Sequence, residues 1–90
     1  MQTIYKFQIT LNDKTTVRVP KNAKLLSAQV QHGIPCVWVM LNTDEEKVDR
    51  HLYLATTGNP MPYLKYDEWI FVDTFMMYDG ALVVHLFEVQ

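Results

Sequence analysis

The stretch that most constrains how this chain can fold is SAQVQHGIPCVWVML, residues 27–41. Ala28 and Val30 alternate with Ser27, Gln29 and Gln31, the period of a strand with one wet face. The chain then reverses at His32-Gly33-Ile34-Pro35. Beyond that turn, CVWVML (residues 36–41) is apolar at every position. Such a strand needs cover on both faces. The domain's own core supplies one side; a second layer, a ligand or another copy of the chain supplies the other.

Alternation recurs along the rest of the chain. In residues 3–11, Tyr5, Phe7, Ile9 and Leu11 share one face, opposite Lys6, Gln8 and Thr10. After the polar Asn12-Asp13-Lys14, residues 15–19 resume the pattern with Val17 and Val19, which predicts a first hairpin. Pro20-Lys21-Asn22-Ala23 then breaks the sheet before a third strand over residues 24–31. Residues 43–50, TDEEKVDR, are the most charged and are expected as a solvated loop, with one helical turn as the alternative. A fifth strand follows over residues 51–56, with Leu52 and Leu54 on one face and Tyr53 on the other. Residues 57–68, TGNPMPYLKYDE, form the longest irregular stretch. The last two strands, residues 69–76 and 81–88, are joined at Met77-Tyr78-Asp79-Gly80, where glycine tolerates a positive φ. Seven short strands, mostly linked by hairpins, predict an all-β fold. It is a small antiparallel sandwich or partly open barrel, a single domain over residues 1–90.

Composition narrows the function classes. A chain of 90 residues buries only about 60–65% of its unfolded surface, a thin margin that favours a homo-oligomer. A net charge of −2 gives no basic footprint for long nucleic acid. A small anionic ligand needs only a few donors and stays compatible with that charge. Cys36 is the only cysteine, so no internal disulfide forms and a reducing compartment is expected. The opening MQTIYKFQIT lacks the apolar segment and cleavage site of a secretion signal. No apolar run approaches the roughly 20 residues that cross a bilayer. A cytoplasmic protein without membrane contact is the expectation.

Catalytic chemistry finds little footing. Three histidines and one cysteine are present, but no CxxC, HxH or HExxH spacing, so neither a metal nor another cofactor is expected. Cys36 paired with His32 or His85 could serve as a nucleophile, but its aliphatic neighbours are those of a buried structural thiol. His85, within Val83-Val84-His85-Leu86-Phe87, reads as a hydrogen-bonded core or interface histidine. Thr56-Thr57-Gly58-Asn59-Pro60 is rich in donors and reads either as an anion cradle or as a strand-ending turn. Tyr63 and Tyr66, in the irregular stretch, either stack on a base or pack on a neighbouring subunit.

The order of segments resembles a family of short, uncharacterised phage and prophage proteins. The matching pieces are Thr3-Ile4-Tyr5-Lys6-Phe7, Pro20-Lys21-Asn22-Ala23-Lys24-Leu25-Leu26-Ser27, and Val30-Gln31-His32-Gly33-Ile34-Pro35-Cys36-Val37-Trp38. Thr57-Gly58-Asn59-Pro60 and Gly80-Ala81-Leu82-Val83-Val84-His85-Leu86-Phe87-Glu88 complete it. Members often carry His where this chain has Asn59. The resemblance implies a phage source and action in the bacterial host cytoplasm, with no assigned activity. In size, compartment and lack of a catalytic motif the chain is similar to phage anti-defence sponges. Those bind cyclic-nucleotide or ADP-ribose-derived immune signals without cleaving them. The leading expectation is therefore a non-enzymatic oligomer that holds a nucleotide-derived ligand at a subunit interface. Its expected site comprises His32, Trp38, Arg50, Thr57, Gly58 and Asn59, with Arg50 on phosphate and Trp38 stacked on a ring. The alternatives are a protein that binds and inhibits a host protein through a sheet edge, or a minor virion or assembly component.

Overall fold

The computed structural model describes residues 1–61 and 69–90, so Tyr63 and Tyr66 lie outside the described residues. The strands are β1 (Gln2–Gln8), β2 (Lys14–Pro20), β3 (Lys24–Gln31), β4 (Ile34–Asn42), β5 (Lys47–Thr56), β6 (Trp69–Met77) and β7 (Leu82–Val89). They form an antiparallel three-stranded sheet, β1-β4-β3, packed on an antiparallel four-stranded sheet, β2-β5-β7-β6. The expected all-β architecture is present, as a sandwich. No helix among the described residues is long and apolar enough to cross a membrane.

Alternation explains the layers. Val37, Val39 and Leu41 point from β4 into the interior, against Val17, Val19, Leu52, Leu54, Phe75 and Leu86 of the other sheet. On one side the layers are sewn together where β3 lies against β6. Both strands carry a register shift there, at Leu25/Ser27 and Phe71/Asp73. Asp73 Oδ2 accepts from the Ala28 amide at 2.9 Å and from Gln29 Nε2 at 3.3 Å. Among the described residues the opposite side, between β1 and β2, has no such seam.

Two expectations are corrected. The first two strands do not pair with each other. Gln2–Gln8 runs against Asn42–Cys36, whereas Lys14–Pro20 runs against Tyr53–Lys47 in the other sheet. The intervening loop is held by both layers: Ile9 N donates to Pro35 O, and Leu54 N donates to Asp13 O. The charged segment is also not a loop throughout. Its second half opens β5, where Val48 faces Val19 and Asp49 faces Arg18. The true hairpins are β3–β4 and β6–β7. The first turns on His32 (φ 52°) and Gly33 (φ 78°), the left-handed pair that a two-residue type I′ turn demands.

The second face of β4 meets no further layer among the described residues. Lys6 Nζ donates to Gln31 Oε1, joining β1 to β3 across β4 at the level of Cys36. The thiol beneath is buried, and Trp38 and Met40 beside it are half-buried. Long polar side chains thus use their apolar stems as a roof. A smaller cluster sits on the outer face of the four-stranded sheet. There Trp69 meets Tyr53 and Phe87 edge to face, at centroid distances of 5.0 and 5.7 Å.

Candidate functional site

The residues expected to bind ligand fall in separate places. Arg50 shares strand parity with Leu52 and Leu54, so it points between the sheets. Glu88 lies on the neighbouring strand, opposite Leu52, and is only 6% exposed. Arg50 Nε and Nη2 donate to the two Glu88 carboxylate oxygens, the latter at 2.7 Å, and Nη1 donates to the Ala23 carbonyl at 2.7 Å. The hydrogen bond to Glu88 raises the Arg50 pKa, against the lowering effect of burial, and the charge of Glu88 adds to the rise. The guanidinium fork expected on phosphate is committed inside the sandwich. This corrects the role assigned to Arg50.

The loop after β5 behaves as a turn. Asn59 N donates to Thr56 O at 3.2 Å across Gly58, whose φ is 88°. The Asn59 side-chain amide donates to Thr56 Oγ1, and Thr57 Oγ1 hydrogen-bonds His85 Nε2 at 2.7 Å. The other ring nitrogen of His85 meets Thr74 Oγ1 at 2.9 Å. These polar groups satisfy one another and bind the turn to β7. Thr57 is seven residues beyond Arg50, on the order of 20 Å along the strand. Trp38 lies on the outer face of the other sheet, and His32 occupies the tip of its hairpin. The six residues do not converge on one surface.

A different constellation does converge. On the unsewn side, Tyr5 and Phe7 from β1 and Arg18 from β2, with Thr43 and Lys47, line a groove of about 310 Å³. Arg18 leaves β2 on the side opposite the core-facing Val17 and Val19, so it borders the groove at its rim. Tyr5 is 47% exposed although it lies on the core-facing side of its strand, because no other described residue covers that edge. Arg18 Nη1 reaches Asp49 Oδ1 at 3.1 Å, but both side chains are more than half exposed, so water weakens the pair. Lys47 has no ion-pair partner among the described residues. The groove therefore offers two aromatic rings, two cations and a hydroxyl. Its described lining includes no cysteine, serine, histidine or carboxylate.

A second groove, of about 470 Å³, lies between the β3–β4 and β6–β7 turns, lined by Val30, Met76, Tyr78 and Asp79. It carries a carboxylate and no cation, which makes it unsuited to an anion. Among the described residues no cluster of histidine, cysteine or carboxylates could hold a metal. Tyr5, Arg18 and Lys47 escaped the sequence reading because their meeting depends on β1 and β2 entering different sheets. No local pattern announces that.

Comparison with curated proteins and with solved structures gives no match. A family model described as a domain of unknown function, DUF7352, matches residues 1–90, and the chain belongs to that family.

Proposed function

We propose that this protein is a non-enzymatic binder of a small anionic ligand that carries an aromatic ring, and that the β1/β2 groove is its site. The observation that carries the reading is that Arg18, Lys47 and Tyr5 line one concave groove, which no other described element covers. A guanidinium fork matches phosphate oxygens in pairs, a lysine ammonium adds a point charge, and an exposed phenol ring gives a base a face to stack on. The volume is at the small end of the range for ligand sites. A nucleotide-derived signal has the required chemistry. The resemblance to short phage proteins favours sequestration of a host cyclic-nucleotide or ADP-ribose-derived immune signal in the host cytoplasm.

Calorimetric titration with cyclic dinucleotides, cyclic trinucleotides and cyclic ADP-ribose isomers tests this reading. At least one should bind, and Arg18→Ala should weaken it roughly 10- to 150-fold, the value of a charge-assisted hydrogen bond. The second reading, capping of a host protein, is favoured by the unpaired outer edge of β1. It replaces the first if no ligand in the panel binds while a host protein co-purifies.

A further inference from the structure

Among the described residues the sandwich has four edge strands, and they are not equally protected. β3 and β6 carry register shifts and lie against each other, tied by Asp73. β2 bears Lys14 and Arg18 and ends in Pro20. β1 differs: all seven of its residues are in unbroken register with β4, and it contains neither proline nor glycine. Its one charge, Lys6, is drawn back over β4 to Gln31, away from the free edge. Ile4 and Tyr5 are 53% and 47% exposed. An edge of this kind is a template for another strand.

We infer that two copies of this chain pair antiparallel through β1, about a two-fold axis at Tyr5. The strand is self-complementary in that register. Tyr5 meets Tyr5 of the second copy, Ile4 meets Lys6, Thr3 meets Phe7, and Gln2 meets Gln8. No like charges oppose each other, whereas a register centred on Lys6 sets two lysines face to face. The pairing extends the three-stranded sheet to six strands and leaves every β1 backbone group with a partner. A two-fold axis perpendicular to the sheet keeps both core-facing sides together, so the two β1/β2 grooves merge. The joint cleft is lined by Tyr5 and Phe7 of both copies, with Arg18 and Lys47 of both at its borders. Its charge suits a ligand with two phosphate groups, a refinement that rests on the binding function proposed above. The dimer itself does not rest on it.

Sedimentation without any ligand tests the pairing. The natural chain should run at twice its 10.6 kDa mass at micromolar concentration. Ile4→Lys sets a lysine against Lys6 twice in each dimer and should weaken association about tenfold or more. Ile4→Glu, equally polar at the same exposed position, should preserve or tighten it. Tyr5→Cys should give a disulfide-linked dimer on oxidation, because Cys36 is buried and does not compete. A monomeric natural chain, equal dissociation by both Ile4 variants, or a dimer that Tyr5→Cys fails to cross-link each overturns the inference. Loss of ligand binding in a chain that still dimerises overturns the binding function instead.

Discussion

Arg50 and Arg18 lie on neighbouring, paired strands and have opposite fates. The Arg50 side chain is 22% exposed, paired with a buried Glu88 carboxylate, and its donors reach two acceptor groups. Arg18 is 63% exposed beside a half-exposed Asp49 and borders a groove. Strand parity separates them. Arg50 falls in step with Leu52 and Leu54, whereas Arg18 falls between Val17 and Val19. One charge has become part of the interior, and the other remains available to something outside the chain.

The largest expected effect breaks the interior pair. Arg50→Ala leaves a charged Glu88 on the core-facing side of β7, in step with Val84 and Leu86, with its partner gone. Such losses cost about 3–5 kcal/mol, and the low end applies because a fifth of Arg50 still meets water. Thermal unfolding should show the loss. The double variant Arg50→Met/Glu88→Leu should recover most of it, since an apolar pair of similar volume avoids the desolvation. If Arg50→Ala leaves stability unchanged, the interior pair is not structural and the contrast with Arg18 collapses.

Arg18→Ala and Lys47→Ala sharpen the same contrast from the other side. Each should change stability by no more than about 0.5 kcal/mol, as exposed substitutions do. Each should also lower affinity for a bound phosphate compound. A pair of variants that markedly destabilises the fold while the folded protein keeps its affinity would reverse the roles of the two arginines.

Tyr53 gives a pH-dependent test of the interior. Burial pushes its hydroxyl pKa up, and the nearby negative charge of Asp13 adds to the rise. The folded state thus holds the proton more tightly than the unfolded chain, whose tyrosines ionise near pH 10. Stability is fully present below that pH and falls as pH rises through the folded value. Urea unfolding across the alkaline range should lose less stability in Tyr53→Phe than in the natural chain.

Much of this was legible from residues alone. Period-2 alternation located the strands, and His32-Gly33 marked a turn whose backbone demands positive φ at both positions. The fate of Arg50 was also within reach. With residues 47–50 read as strand, parity places Arg50 with Leu52, and the same rule places Glu88 with Val84 and Leu86. Reading that segment as a solvated loop hid its face. The groove was beyond local reading, because alternation states which side of a strand is buried and is silent on which strand lies beside it. Tyr5 reads as core from its parity, yet an edge with no neighbour leaves it open.

The smallest effect concerns Cys36, which belongs to neither region. It lies on the outer side of β4, beneath the contact between Lys6 and Gln31, and its thiol donates to the Ile34 carbonyl at 3.4 Å. Cys36→Ser keeps that acceptor and nearly the same volume but places a more polar group in an apolar site, for a cost of about 1 kcal/mol. Association through β1 and affinity in the groove should both persist, because Cys36 contributes no atom to either. Lys6→Ala should cost a similar amount by uncovering the thiol, and modification by a thiol reagent should then become measurably faster. If the thiol reacts at the same rate with and without Lys6, the roof over β4 is not what shields it. In that case the second face of the strand takes its cover from elsewhere, and a partner chain against the outer side of this sheet becomes the explanation.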